Sequence, residues 1–437
     1  MHKMPMSSKV TALVRHRSFQ NFVFLIFIQS SNALISLISI PLLIRSLGVD
    51  QFGMVNLALS VIVFANVAVN FGYSLSGPRE IAVNQENPRA MSEVASKVFF
   101  SRFFFALLIS VALGLLTLVD GLFQGYQIIL LFSLLMLFSE ATQPVWFFQG
   151  LEKMRMVSLS NLSSKLLYLV GLLLFVKGPG DAKWVNLIMG FTALGFNVVL
   201  MGYMQVKYNI RLYLPKWRLL LTSWRTNFSL FLSGLASHFS VSGGIIILSF
   251  FVNATVLGMF SMAEKVTVVL RMIPTLITQA AYPNASKLFI KDDGMFYNFV
   301  RKVYFGSIGI SLFIAVIVYL FSPDIILMLS KKELEDSVDI LRILSFVPVM
   351  ASLNIANMII ILAGGFNKIL LNATWTFCCF MIIACSLLSY FFGGPGMAYG
   401  LLGTELFIFA TCSILLKANT PYFDAFYKRI FSSHYSA

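Results

Sequence analysis

Hydrophobic residues fill twelve long stretches of the chain, and short polar segments separate them. A helix crosses a bilayer with about 20 apolar residues, and these stretches lack the alternation that marks a transmembrane barrel strand. The pattern therefore predicts an all-α polytopic membrane protein. The predicted spans cover residues 22–44, 54–76, 98–119, 126–148, 157–176, 184–206, 227–250, 257–280, 303–321, 338–362, 369–391 and 397–417.

A short repeat divides these spans into two sets of six. The run Gly-Met-Val-Asn-Leu-Ala begins at Gly53, and Gly-Met-Phe-Ser-Met-Ala begins at Gly258, 205 residues later. The repeat predicts two pseudo-symmetric six-helix lobes, residues 1–206 and 227–437, joined by a basic cytoplasmic linker, 207–226. Because each half crosses the membrane six times, both halves begin on the same side. The pseudo-symmetry axis should therefore run along the membrane normal. Many secondary transporters are doubled bundles with the substrate site between the halves.

Composition excludes a water-soluble protein. Hydrophobic residues make up 58% of the chain and charged residues 11%, against about 25% charged residues in soluble domains. The first apolar run, 22–44, is too long for the core of a signal peptide and is expected to remain as the first helix. All four cysteines fall inside predicted spans, where they are expected to act as small apolar filler.

The basic residues predict the topology. Segments on the N-terminal side of the predicted membrane hold 22 of the 32 lysines and arginines, and the opposite loops hold five. By the positive-inside rule, both termini are expected to be cytoplasmic. Most of the net charge of +14 therefore comes from basic residues in the predicted cytoplasmic segments, as the positive-inside rule requires. It does not indicate nucleic-acid binding, which would need a folded soluble module.

Charged residues inside the spans need a reason, because a charge at the bilayer centre costs about 2.5–3.5 kcal/mol on insertion scales. Glu140 and Lys165 each lie about twelve residues from the centre of the hairpin between the fourth and fifth spans, so they should share one depth. Two interpretations stay open: a polar cavity wall, or an ion pair that holds the hairpin together.

The eighth span carries Glu264, Lys265 and Arg271, followed by Pro274. Arg271 lies about 10 Å deeper than Glu264 at 1.5 Å per residue, which favours a substrate-facing role. Glu264 and Lys265 fit either the cavity lining or a cluster at the membrane interface. Glu405 in the twelfth span has no partner in its own helix, so it is a candidate protonatable coupling residue or a neutral buried acid bonded to a neighbour.

Weaker polar signals lie on the remaining predicted cavity walls. Asn32, Asn66 and Asn70 lie in the first two spans, and Asn66 is the repeat partner of Arg271. These amides are candidate substrate-binding groups, although each alone also suits hydrogen bonding between helices. Asp339 and Arg342, three residues apart near the outer end of the tenth span, are expected to form a structural pair.

No catalytic signature appears. The chain contains no phosphate-binding glycine loop, no zinc-protease helix and no cysteine–histidine cluster. We therefore expect neither an enzyme nor a cofactor or metal. An ATP-driven pump would need a nucleotide-binding motif, so transport would draw on an ion gradient or on mass action.

Several short runs together resemble the O-antigen flippases, which are members of the polysaccharide transporter family in the multidrug/oligosaccharidyl-lipid/polysaccharide exporter superfamily. The most specific is Phe-Gln-Gly-Leu-Glu-Lys-Met, at residues 148–154. The others lie at residues 46–53, 70–75, 79–82, 261–265 and 279–283. The likeness extends along the whole chain.

The resemblance implies a bacterial inner-membrane protein that moves undecaprenyl-diphosphate-linked oligosaccharide from the cytoplasmic to the periplasmic leaflet by alternating access. It implies a cavity lined with basic residues, and Lys265 matches a position where relatives also place a cation. Coupling to protons or sodium would fall to Glu140, Glu264 or Glu405. Besides the lipid bilayer and the lipid-linked glycan, an O-antigen polymerase and a chain-length regulator are the implied candidate partners.

Two other functions stay open. A cation-coupled drug antiporter of the same superfamily would favour acids over bases in the cavity, whereas the deep charges here lean basic. An O-antigen polymerase or ligase is also polytopic, but such enzymes typically carry a large periplasmic loop with catalytic arginines or histidines. The longest predicted outer loop, near residues 322–337, is short and has only Lys331 and Lys332 as bases.

Overall fold

The computed structural model describes residues 17–119, 125–291 and 293–431. Throughout these ranges the regular structure is helical, and none of the described residues forms a strand. This confirms the all-α prediction. Both chain termini lie outside the described residues, so their cytoplasmic location stays a prediction.

The chain divides into two compact units. The first contains the described residues up to Gly48 together with Ala58–Leu235. The second contains Val49–Leu57 and the described residues from Ala236 onward. The predicted lobe limits, 1–206 and 227–437 with a linker at 207–226, stay a prediction.

Long helices separated by short breaks build the first unit. A first helix, α1, runs over Arg17–Asn70 and is interrupted at Gly48, where φ is 82°. It is followed by α2 (Tyr73–Val83), α3 (Pro88–Leu116), α4 (Gln127–Ser133), α5 (Leu135–Thr142), α6 (Val145–Gly150), α7 (Arg155–Phe175), α8 (Ala182–Tyr208) and the first part of α9 (Trp217–Leu248).

Local sequence explains the ends of these helices. Asn87 caps α3, because its side-chain oxygen accepts hydrogen bonds from the backbone N–H groups of Arg89 and Ala90, and Pro88 fits the first helical position. The C-terminal end of α8 is set by Asn209, the residue after Tyr208. Its φ of 53° is left-handed, a conformation that asparagine adopts more readily than most residues.

The run that carries the most specific resemblance, together with Phe147 just before it, contributes to a hydrophobic core of the first unit. Phe147, Phe148 and Met154 are fully buried, and they pack with residues of α2, α3 and α8. Gly150 has no room for a side chain, since a Cβ there would lie 2.6 Å from the carbonyl oxygen of Pro78. The motif therefore has a structural role: it joins the end of α6 to α2.

The second unit is also a helical bundle. It continues α9 and adds α10 (Ala254–Lys291), α11 (Asp293–Leu320), α12 (Ser322–Ser330), α13 (Glu335–Leu344), α14 (Val347–Leu353), α15 (Ile355–Ala363), α16 (Asn367–Asn419) and α17 (Tyr422–Phe431). Gly393 interrupts α16 with a φ of 59°. Side chains of α10, α11, α15, α16 and α17 form its core, in which Phe296 and Phe426 are almost completely buried.

The two repeated glycines contact each other within this second unit. A Cβ on Gly53 would lie 2.6 Å from the carbonyl oxygen of Ala254 and 2.7 Å from the backbone nitrogen of Gly258. A Cβ on Gly258 would overlap the carbonyl oxygen of Val49. Only glycine allows backbones to approach this closely, as in other packed membrane helices.

Eight helical stretches in the described ranges are long and apolar enough to cross a membrane. Two of them, Ser31–Val83 and Asn367–Asn419, have 53 residues each, more than twice the length that one crossing needs. Their interruptions at Gly48 and Gly393 divide each into shorter helices. The protein is therefore a multi-pass membrane protein. All twelve predicted spans fall on helices α1 to α16 or on the short breaks between consecutive helices.

Candidate functional site

A polar cavity of about 360 Å³ lies inside the first unit. Four of the predicted site residues line it: Asn32 and Asn66 from α1, Glu140 from α5, and Lys165 from α7. Gln143 and Asn161 contribute further amides. Helical segments far apart in the sequence thus place one acid, one base and several amides around a single space.

Glu140 forms an ion pair with Arg102 of α3. The Arg102 Nη2 atom lies 2.8 Å from Glu140 Oε1, and the Arg102 side chain is only 2% exposed. Asn70 Nδ2 also donates to Glu140 Oε1, at 3.3 Å. A buried arginine needs this compensation, because burial removes its hydration.

A helix break next to Glu140 provides the second acceptor for Arg102. Pro144 has no N–H and disfavours a helical conformation at Gln143, whose ψ of 115° is extended. Arg102 Nη1 donates to the Gln143 carbonyl oxygen at 2.8 Å. Broken helices at membrane depth occur where a protein lines a cavity or binds a ligand.

The amides of the cavity wall retain unused hydrogen-bonding capacity. The side-chain oxygens of Asn32, Asn66 and Asn161 are buried, and none has a hydrogen-bond partner among the described residues. A buried acceptor left unpaired costs about 1–3 kcal/mol. Three such oxygens at one cavity favour a polar occupant, such as water, a cation or a hydroxyl-bearing group.

Both Glu140 and Lys165 face the same cavity, as expected from their shared depth. The Lys165 Nζ atom lies 3.6 Å from the sulfur of Met189. The ion pair of Glu140, however, is made with Arg102, which the sequence analysis did not single out. Arg102 falls inside the predicted span 98–119, so a systematic search for partners of intramembrane charges could have found it.

The second unit contains a separate ion pair between α10 and α16. Arg271 Nη2 lies 2.5 Å from Glu405 Oε1, with the side chains 20% and 15% exposed. Glu405 is thus bonded to a neighbouring helix, but through an ion pair rather than as the neutral acid of the prediction. A second nitrogen of this side chain, Arg271 Nε, is buried and has no hydrogen-bond partner in the described structure.

Glu264 and Lys265 lie two turns before Arg271 on α10, and both are partly buried. Glu264 is close to α9, since a Cβ on Gly244 would lie 3.7 Å from Glu264 Oε1. Pro274 is buried within α10, and its missing N–H leaves the carbonyl of residue 270 without its helical donor. The charges therefore lie beside a weakened point of the helix.

The predicted pair near the end of α13 also forms. Arg342 Nη1 lies 3.3 Å from Asp339 Oδ1, with side chains 38% and 64% exposed. Arg342 additionally lies over the ring of Tyr319, 5.7 Å from its centroid. Such an exposed pair adds little to stability, so it offers a matched comparison for the buried pairs.

The described residues contain no group of three or more histidine, cysteine or acidic side chains placed to hold a metal ion. We call Arg102, Glu140 and Lys165 the charged cluster of the first unit, and Glu264, Lys265, Arg271 and Glu405 that of the second. Both clusters provide hydrogen-bond donors and acceptors. Whether the predicted residues contact a substrate stays a prediction.

Two bacterial proteins named "Putative O-antigen transporter" are similar in sequence to this chain. The one from Escherichia coli (strain K12) is 27% identical over 278 residues, which cover 62% of this chain and 65% of that relative. The one from Shigella dysenteriae is 26% identical over 399 residues, which cover 89% of this chain and 97% of the relative.

Solved structures share the fold at low sequence identity. An inward-facing multidrug resistance MATE family transporter of the MOP superfamily matches with a TM-score of 0.73 and 14% identity, over 90% of this chain and 95% of that one. The lipid II flippase MurJ, in an inward closed conformation, matches with a TM-score of 0.70 and 12% identity, over 93% and 90%. These likenesses establish the fold alone.

A family match covers more than half of the chain. The family described as polysaccharide biosynthesis protein matches residues 18–289, a range that includes α1 to α9, the polar cavity and the cluster on α10. The chain therefore belongs to the polysaccharide biosynthesis protein family.

Proposed function

We propose that this protein is a flippase that carries a polyprenyl-diphosphate-linked oligosaccharide, an O-antigen unit, from the cytoplasmic to the periplasmic leaflet of a bacterial inner membrane. The observation that carries the proposal is the alignment with an O-antigen transporter relative over 89% of this chain and 97% of that relative.

The chemistry of the two clusters supports this substrate. A diphosphate and a glycan cannot enter hydrocarbon unaided, whereas a polyprenyl tail can stay in the lipid. Arg102, Lys165, Lys265 and Arg271 supply cations inside predicted membrane spans. Guanidinium groups bind phosphate oxygens through paired, charge-assisted hydrogen bonds. Amides such as Asn32 and Asn66 suit sugar hydroxyls.

The Arg271–Glu405 pair supplies a route to coupling. While Glu405 holds Arg271, the two charges cancel, and the guanidinium has less attraction for a diphosphate. A proton or cation at Glu405 would release Arg271 to bind the substrate, and loss of that ion would restore the pair. Glu140 could act in the same way on Arg102. A proton or cation gradient across the membrane would then favour lipid binding in one of the two states of the transport cycle.

Two other functions remain as rivals. The likeness to a multidrug transporter at 14% identity concerns the fold, and the deep cations are poorly suited to a cationic drug. A polymerase or ligase would need a reactive site, which the sequence does not contain. An O-antigen polymerase and a chain-length regulator are instead proposed as partners, since the moved glycan must next be polymerised.

Complementation tests the proposal directly. The wild type, Arg271→Ala, Lys265→Ala and Lys165→Ala are expressed at matched membrane levels in a strain that lacks its own O-antigen flippase, with Arg342→Ala as the control. We expect the wild type and the control to restore surface glycan and Arg271→Ala to fail. If the wild type failed with a panel of different O-antigen units, the proposed function would be wrong.

Orientation is tested with single cysteines in a cysteine-free background. Lys177 and Lys216 are both exposed, and they lie on opposite predicted sides of the membrane. An impermeant maleimide should label Lys177→Cys in intact spheroplasts, while Lys216→Cys should react only after the cells are opened. The reverse pattern would overturn the predicted orientation of the protein in the membrane.

A further inference from the structure

A second cavity, of about 540 Å³, lies between α2 and the start of α9, away from the polar cavity of the first unit. The Phe71-Gly72 break positions it. Phe71 and Gly72 have φ values of 42° and 79°, and a Cβ on Gly72 would lie 2.8 Å from Leu230 Cβ. The close approach of α9 to Gly72 thus closes one end of the cavity.

We propose that this cavity docks the diphosphate head of the polyprenyl-linked substrate at the predicted cytoplasmic surface before translocation. The proposal rests on the proposed flippase function and deepens it. The cavity is lined by residues in the ranges 75–84 and 226–230. These adjoin segments 77–97 and 207–226, which are both predicted to be cytoplasmic. A lipid-linked substrate would first be met on this side.

Charge in the cavity favours an anion. Glu80 forms an ion pair with Lys97, so the charge of this wall residue is already compensated. Arg79, one position earlier, lines the same cavity, is exposed, and makes no ion pair with any acid of the described structure. Its guanidinium is therefore available to bind a phosphate.

Polar atoms without partners line the wall beside Arg79. The hydroxyl oxygen of Ser76 is buried and has no hydrogen-bond partner in the described structure, and the same holds for the side-chain oxygen of Asn227, a residue only 2% exposed. The Ser76 hydroxyl can donate to a phosphate oxygen. The Asn227 oxygen can accept from a hydroxyl of the attached sugar.

Much of the rest of the wall is apolar and exposed, and Asn84 and Thr226 add polar side chains to it. Leu75 is 65% exposed and Val83 is 78% exposed, and both line the cavity together with Leu230. A free phosphate or nucleotide would gain nothing from this surface, whereas the first isoprene units of a polyprenyl chain would bury it. An arginine next to exposed aliphatic side chains is thus the combination that a phosphorylated lipid requires.

Binding of polyprenyl diphosphate to the purified full-length protein tests this site. The protein is placed in phosphatidylcholine nanodiscs, and the affinity is compared among the wild type, Arg79→Gln, Arg79→Lys, Ser76→Ala and Arg89→Gln. Arg89 is an exposed arginine in the same predicted cytoplasmic segment and does not line the cavity. It is the matched control.

We expect Arg79→Gln to weaken binding about tenfold, as for the loss of a charge-assisted hydrogen bond. Arg79→Lys should retain part of the affinity, and Arg89→Gln should bind like the wild type. Equal affinity for Arg79→Gln and Arg89→Gln would overturn the proposal. A thermal melt of each variant shows that a loss of binding is not a loss of folding.

Two further arms separate the possible sources of phosphate. In the first, phosphatidylglycerol replaces part of the phosphatidylcholine; if it displaces the polyprenyl diphosphate from the wild type at equal mole fraction, the site serves phospholipid headgroups and the proposal is wrong. In the second, inorganic pyrophosphate competes; effective competition at equal concentration would show that the apolar wall is not used, which also contradicts the proposal.

Complementation distinguishes this proposal from the proposed function. If the wild type restores surface glycan and Arg79→Gln binds and complements like Arg89→Gln, the docking site is wrong and the flippase stands. If the wild type neither binds polyprenyl diphosphate nor restores glycan with any O-antigen unit, both fail together.

Discussion

Arg271 and Glu405 meet at 2.5 Å although 134 positions separate them in the chain. The sequence places both inside predicted spans, Arg271 on the same span as Glu264 and Lys265, and Glu405 with no partner in its own helix. The structure joins them into one neutral unit within an apolar bundle. The ion pair between Arg271 and Glu405 would have to break and re-form if the two residues take part in a transport cycle. Its contribution to stability can be measured.

Removing one member of this pair should destabilise the protein more than removing both. Arg271→Ala or Glu405→Ala leaves a buried charge without its partner, which costs about 3–5 kcal/mol. The double variant Arg271→Ala/Glu405→Ala should recover much of that loss. The free energy of unfolding in mixed micelles measures this, and Arg342→Ala, from an exposed pair, should change it by about 1 kcal/mol or less. Additive single effects would mean that the two residues do not interact.

Arg102 should tolerate almost no change. Its guanidinium binds both the Glu140 carboxylate and the Gln143 carbonyl. Arg102→Ala would remove the counter-ion of Glu140, which would keep only its hydrogen bond from Asn70, at a cost of about 3–5 kcal/mol. Arg102→Lys keeps the charge but lacks the planar fork, so it should recover only part of the stability. Thermal unfolding of the purified variants is the measurement. A lysine variant as stable as the wild type would show that the fork geometry is not needed.

The contact between Gly53 and Gly258 predicts a steric effect. Gly258→Ala would push a methyl group into the Val49 carbonyl oxygen, and Gly53→Ala would place one 2.6 Å from the Ala254 carbonyl oxygen. Each should destabilise the protein by about 1–3 kcal/mol. Gly195→Ala in α8 is the control, since a Cβ there has no atom within 4 Å, and it should be neutral or slightly stabilising. Equal melting temperatures for all three variants would contradict the close approach.

The unpaired amides of the first cavity predict a trade between stability and function. Asn66→Leu replaces a buried acceptor without a partner by an apolar side chain of similar size. We expect unchanged or higher thermal stability, by up to about 2 kcal/mol, together with loss of glycan transport in the complementation assay. If transport survived, Asn66 would be a packing residue rather than part of a functional cavity.

Much of the fold can be read from the sequence, because each membrane helix must satisfy its own backbone hydrogen bonds within one apolar stretch. The hydrophobic runs identify the helices, and Gly48 and Gly393 fall between predicted neighbours in each 53-residue helical stretch. Candidate charged residues can also be identified from the sequence, because an ionised side chain inside a membrane span is costly whichever way it points. Glu140, Lys165, Arg271 and Glu405 all belong to this group.

The partners of those charges could not be read in the same way. Distance from the hairpin turn gives the depth of Glu140 and Lys165, and the structure places both on one cavity. Depth does not give the rotation of a helix or the identity of its neighbours. The bond from Glu140 to Arg102 spans 38 positions and depends on how α3 packs against α5.

The sequence by itself determined the class of protein, the helical stretches and the candidate charges, because these follow from local hydrophobicity and from the cost of burying a charge. Only the tertiary structure decided that Arg102 pairs with Glu140, that Arg271 pairs with Glu405, and that Gly53 and Gly258 let two backbones touch. Those relationships depend on side-chain direction and helix packing, and residues distant in the chain carry no local signal of either.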